Sequence, residues 1–247
     1  MEFVVLIIFI LGYIAITLEH NLKIDKLVPA LAMMALAWAV VSLSHLPVFE
    51  VSPHGLEESN VEAVLLHHFG KTCEILIFLI GAMTIVEIID HFDGFATIKK
   101  FIKTNQKKTL LWIVAILAFI LSAIIDNLTA TIVLISILAK LIKKREDRIW
   151  YVGLIVVTAN AGGAWSPIGD VTTTMLWMGE KVTTLKLIEH LILPSLVCML
   201  IPTFLASKMK AFQGTFDAPK ENEVVNKHSA FMLYLGLALI VAVPVFK

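Results

Sequence analysis

LLWIVAILAFILSAIIDNLTATIVLISILA, residues 110–139, is an almost unbroken apolar run interrupted near its middle by Asp126, Asn127 and Thr129. A helix crosses the hydrocarbon core of a bilayer in about 20 residues. The apolar stretch, which extends over 109–142, is therefore too long for one crossing. Its flanks decide how the excess length is used. The segments TIKKFIKTNQKK (97–108) and KLIKKREDR (140–148) are both strongly basic, and basic loops are retained on the cytoplasmic side. A segment that enters and leaves on one side must fold back, so 109–142 reads as a re-entrant helical hairpin with its polar residues at the tip. Lipid cannot satisfy the backbone groups freed by such a turn, so the tip must be buried in protein or line a watery cavity.

The rest of the chain supports a membrane setting. Mean hydropathy is +0.87, and 58% of residues are hydrophobic against 16% charged, where soluble domains carry about a quarter charged. Further apolar stretches occupy 2–18, 27–46, 73–90, 149–178 and 187–206, and another runs over 230–246. The first lacks the basic leader and cleavage site of a secretory signal and reads as a retained span. Loop 45–72 is acidic and holds His67 and His68. The positive-inside rule places it, with the N-terminus, outside. A multi-pass inner-membrane protein is expected. Equal numbers of basic and acidic residues give no sign of a nucleic-acid partner, and Cys73 and Cys198, both in apolar segments, read as small hydrophobic residues.

A second interruption lies in GLIVVTANAGGAWSPIGDVTTTMLWMG, residues 153–179. Pro167 removes a backbone donor and clashes with the preceding turn, and the glycines 162, 163 and 169 weaken the helix further. The sequence predicts a broken helix over about 149–178, with its break at 162–169. Ser166 before Pro167 fits an N-cap and first-helical-residue pair, so the second half-helix is expected from about 167, with Asp170 in its first turn.

Broken helices near the bilayer midplane are how secondary transporters build ion sites. Here the two interruptions contribute only oxygen-bearing side chains: Asp126, Asn127 and Thr129 in one, Asn160, Ser166, Asp170, Thr172 and Thr173 in the other. Hard cations favour oxygen ligands, and an intramembrane carboxylate can also hold a proton. Asp126 and Asp170 are the candidate sodium ligands. Glu74, Glu87 and Asp90, on the apolar segment before the hairpin, are candidates for a proton pathway, against the plainer reading that they extend into the interface.

The motifs DNLTAT (126–131) and NAGGAWSPIGDVTTTMLW (160–177) resemble the two signature stretches in the first half of the NhaD-type sodium/proton antiporters. FLIGAMTIVEIIDHFDGF (78–95) is similar to the helix that precedes them. That family belongs to the ion transporter superfamily, with arsenite efflux pumps and divalent-anion/sodium symporters. The resemblance implies an all-α polytopic fold of two inverted repeats, each with a hairpin and a broken helix, in a homodimer of the full-length protein. It carries functional roles onto Asp126, Asn127, Thr129, Asn160, Asp170, Thr172 and Thr173. On this reading residues 1–206 form the first repeat, 207–228 a cytoplasmic linker and 229–247 the start of a second repeat that the sequence does not complete.

The expected activity is exchange of sodium or lithium for protons across the membrane, without an enzymatic reaction and without a cofactor, sodium being the substrate. The runner-up is a superfamily relative carrying an anion such as arsenite or a dicarboxylate. A reading from another class is a non-transporting membrane scaffold or sensor whose breaks are packing kinks.

Overall fold

The computed structural model of the chain describes residues 2–52, 55–102, 104–216 and 227–246. These residues are overwhelmingly helical and fall into two compact units, Met1–Cys73 and Glu74–Lys247. The all-α polytopic class expected from the sequence is what the chain adopts.

In the first unit, α1 (Glu2–Thr17) leads through the short α2 (Glu19–Leu22) to α3 (Leu27–Leu43). Helices α1 and α3 pack together at Gly12, where any Cβ would collide with the Met33 side chain. Two short strands, β1 (Val48–Ser52) and β2 (Gly55–Ser59), then pair antiparallel with Val48 opposite Ser59.

Helix α4 (Val61–His91) starts in the first unit and continues into the second. Its length corrects the sequence reading, which left residues up to 72 in a loop. Asn60 accepts a hydrogen bond from the Glu62 amide at 2.8 Å, a capping contact that fixes the helix start, and no proline follows to stop it. His67 and His68 are thus helical residues, with ring centroids 5.7 Å apart. At 1.5 Å per residue α4 is about 46 Å long, well beyond the ~30 Å hydrocarbon thickness.

The second unit continues through a 3₁₀ segment (Gly94–Phe101) into α5 (Lys107–Ile125), α6 (Asn127–Leu141), α7 (Arg145–Ala164), α8 (Val171–Met178), α9 (Thr184–Ala206) and α10 (Lys227–Phe246). Among the described residues, four helices are long and apolar enough to cross a membrane: α4, α5, α9 and the His228–Val245 portion of α10. Helices α1, α3 and α6 are shorter apolar helices.

Contacts at the two ends of α7 show how α5 and α6 run. Lys107, at the start of α5, pairs with Asp147 at 2.9 Å, and the Tyr151 hydroxyl donates to the Lys107 carbonyl at 2.7 Å. Arg148 donates to the carbonyls of Ala139 (3.4 Å) and Ile142 (3.3 Å), at the end of α6. Both open ends of the pair therefore lie beside the first turns of α7. The junction lies at the other end, where Asn127 meets Asn160. Helix α5 runs parallel to α7, the chain reverses at the single residue Asp126, and α6 returns.

A taper in side-chain size brings α5 and α7 together. Tyr151, Ile155 and Ala159 are fully buried at successive turns of α7, and Gly162 follows in the same stripe. A Cβ on Gly162 would strike the backbone of Phe119 in α5. Close approach through small residues is how helices associate in lipid, where no hydrophobic drive exists.

That packing also corrects the expected position of the break. Gly162 and Gly163 do not interrupt α7, which continues to Ala164; the irregular stretch is 165–170. Pro167 ends the helix, while the glycines serve contact with α5 and with the backbone of Gly169. Ser166 does not cap the second half-helix. Its Oγ accepts only a long 3.4 Å bond from Ile168, and Asp170 is the N-cap of α8.

After α9 the chain folds back onto the base of the hairpin. Phe212 is buried edge-on against Tyr151 with centroids 4.9 Å apart, and the Phe216 amide donates to the Asn105 carbonyl at 2.9 Å. The remainder of the expected linker, 217–226, lies outside the described residues. Helix α10 packs against the 3₁₀ segment, with Gly94 and Gly236 both tight against Ile89.

Candidate functional site

Asp126 is at once the C-cap of α5 and the N-cap of α6, with φ 90° and ψ 155°. Such backbone angles are sparsely populated outside glycine and cost roughly 1–3 kcal/mol. A side chain other than hydrogen is thus held here against a local preference for glycine. What the carboxylate does is visible. One oxygen accepts from the Thr129 amide at 2.8 Å and the other from the Thr129 hydroxyl at 2.7 Å.

Asp170 plays the matching part in the broken helix. Its side chain accepts from the Thr172 amide at 2.8 Å, and its carbonyl accepts from the hydroxyls of Thr173 and Thr174, each at 2.9 Å. Asn127 joins the two motifs: its amide donates to Asp170 Oδ2 at 2.7 Å and to Asn160 Oδ1 at 3.0 Å. Asn160 in turn donates to the Val156 carbonyl at 2.7 Å, which sets the direction of its ring-free amide within α7.

Of the sequence candidates, Asn127, Asn160, Asp170, Thr172 and Thr173 are joined by hydrogen bonds; Asp126 and Thr129 form a second bonded pair, linked to the first set through the chain at Asn127. Ser166 is buried in the break nearby, without a contact to either aspartate among the described bonds. Sequence reasoning missed Ser122. This fully buried hydroxyl donates to the Ala159 carbonyl, and its own carbonyl lies where any Cβ on Gly169 would sit. The only sequence signal was a lone serine four residues before Asp126.

The electrostatics follow from helix direction. Helices α5 and α7 run parallel, so both C-termini lie in this region, each helix end carrying roughly half a negative charge. The opposing N-termini of α6 and α8 are positive, and each is already capped by its own aspartate. What remains exposed to a ligand is therefore carboxylate, carbonyl and neutral oxygen, an environment for cations.

The second group of candidates separates. Glu87 and Asp90 line a cleft of about 380 Å³ that also includes Thr129. Glu74 is not part of that cleft; it precedes Glu87 on α4 by more than three turns, about 20 Å along the axis.

A family model described as a citrate transporter matches residues 4–246. The chain is 40% identical over 98% of its length to sodium/proton antiporter 1 of Arabidopsis thaliana, covering 41% of that protein. It is 36% identical over 98% of its length to sodium/proton antiporter 2 of the same plant, covering 56%. Against the Na(+)/H(+) antiporter NhaD of Vibrio cholerae it is 32% identical over 82% of its length, covering 41%. The chain thus spans from two fifths to a little over half the length of these relatives. No solved structure matches it.

Proposed function

The chain belongs to the citrate transporter family, and from that premise we propose that it supplies one side of the ion site of an integral membrane sodium/proton exchanger, with Asp126 and Asp170 as the shared cation and proton ligands. The observation that carries this reading is the paired use of the two aspartates as caps on the α6 and α8 N-termini, beside the carbonyl ends of α5 and α7. Relatives that match the chain over most of its length are named as sodium/proton antiporters, which agrees with the NhaD-type resemblance of the two motifs.

Exchange follows from competition. A sodium ion bound among Asp126, Asp170 and neutral oxygens from Asn127, Asn160, Thr129, Thr172 and Thr173 needs both carboxylates ionised, because a proton removes charge and a lone pair. Protonation expels sodium, and sodium disfavours protonation by opposite-charge attraction. Lithium, another hard monovalent cation, suits the same oxygens. Residues 1–206 are inferred to form one repeat, with α10 opening a second that completes the site in inverted orientation, and the full-length protein to be a homodimer.

The family description names citrate, which favours anion transport as a second reading. An anion would seek helix N-termini, and at this group those ends are covered by the chain's own carboxylates. The two readings separate in vesicles containing the intact protein. Sodium added to vesicles holding a proton gradient should collapse it, and citrate should leave it unchanged. Citrate uptake without sodium-driven proton movement would replace the cation reading with the anion one.

A further inference from the structure

We propose that the cleft between the second half of α4 and α6 is the aqueous route by which cations reach the hairpin tip from the side of the basic loops. The proposal rests on the exchange reading above and deepens it. The cleft, about 380 Å³, contains Thr129, whose hydroxyl and amide both bond to the Asp126 carboxylate. Along α6 it continues through Val133, Ser136 and Lys140. These follow Thr129 at helical spacing, so one face of α6 leads from the tip to the α6 C-terminus, about 16 Å away. That terminus lies at the base of the hairpin, beside Arg148 and Lys107.

The base is ringed by basic residues that would repel an approaching cation. The opposite wall of the cleft answers this, for it carries three carboxylates, Glu87, Asp90 and Asp93, against one lysine, Lys99, and so is net acidic. Glu87 and Asp90 are one turn apart on α4, and Asp93 is placed by the left-handed turn (φ 53°) that begins the 3₁₀ segment. Carboxylates lining a cleft with low-dielectric walls raise the local concentration of cations. Glu87 and Asp90 are exposed although they sit on an apolar helix. A watery passage gives them solvent that lipid would deny.

In the intact protein, on a cysteine-free background, Ser136→Cys should react with impermeant thiol reagents added from the side that also labels position 104. A cationic methanethiosulfonate should react faster than an anionic one, and Glu87→Gln with Asp90→Asn should shrink that ratio. The same double variant should raise the sodium concentration for half-maximal exchange by roughly tenfold at low ionic strength. Because the effect is one of screening, it should largely vanish in high salt, which a merely structural loss would not do. An unreactive Ser136→Cys, or equal rates for the two reagents, would overturn the route. The exchange reading stands or falls separately: Asp126→Asn should abolish exchange while leaving Ser136→Cys labelling intact.

Discussion

The side-chain amide of Asn127 lies 2.7 Å from a carboxylate oxygen of Asp170, joining the tip of the hairpin to the second half-helix across 43 residues of sequence. This bond makes two interrupted helices into one group. A hydrogen bond to a charged partner contributes about 1.5–3 kcal/mol. Asn127→Ala should therefore weaken apparent sodium affinity by roughly ten- to hundredfold. Combined with Asp170→Asn it should add less than the sum of the single effects, because both changes remove the same contact. Exchange assays over a sodium titration check both statements, and strict additivity would dissociate the two residues.

Thr129→Ala removes a single neutral donor from Asp126 and should do less. About 1 kcal/mol is at stake, so affinity should fall several-fold and high sodium should restore the maximal rate. Thr129→Ser retains the hydroxyl and should stay near the parent.

Gly162 permits the close approach of α7 to Phe119, whereas Gly153, nine residues earlier in the same helix, faces open space. Gly162→Val should lower thermal stability in detergent by an overpacking cost of about 1–3 kcal/mol. Gly153→Ala should be neutral or stabilising by up to about 1 kcal/mol, the helix-propensity gain over glycine. Equal losses in both would mean that the glycines matter only for helix propensity.

Positions 104 and 146 flank the hairpin on the two sides of its base. Single cysteines introduced at each should be labelled by an impermeant reagent from the same membrane face. Labelling from opposite faces would make the α5–α6 pair a crossing segment.

Much of this fold was legible because the bilayer imposes strict rules. An apolar run too long to cross once, with a polar interruption and basic flanks, leaves few arrangements, and the chain does reverse at Asp126. What was misread turned on local competition. Glycines 162 and 163 look like breakers on propensity alone, but in a helix interface their lack of a side chain is what allows contact with α5. The start of α4 mixes histidines, glutamate and lysine with apolar residues, and hydropathy measures the solvent a helix prefers, not whether it continues. Asp170 was expected inside a helix that Pro167 would begin; the carboxylate instead caps a later start by taking the Thr172 amide. Ser136 carried no signal in the sequence because its relation to Thr129 is a matter of helical spacing along a cleft whose other wall lies far away in sequence, on α4 and the 3₁₀ segment.

The central claim is that one carboxylate serves both ions. The direct measurement is exchange in everted vesicles carrying the intact protein with Asp126→Asn, driven first by sodium and then by a proton gradient. The substitution keeps the size of the side chain and one acceptor oxygen but removes the titratable charge. A shared site predicts loss of sodium-driven proton movement and of proton-driven sodium movement together. Normal exchange with unchanged apparent sodium affinity, or loss of one direction alone, would contradict it.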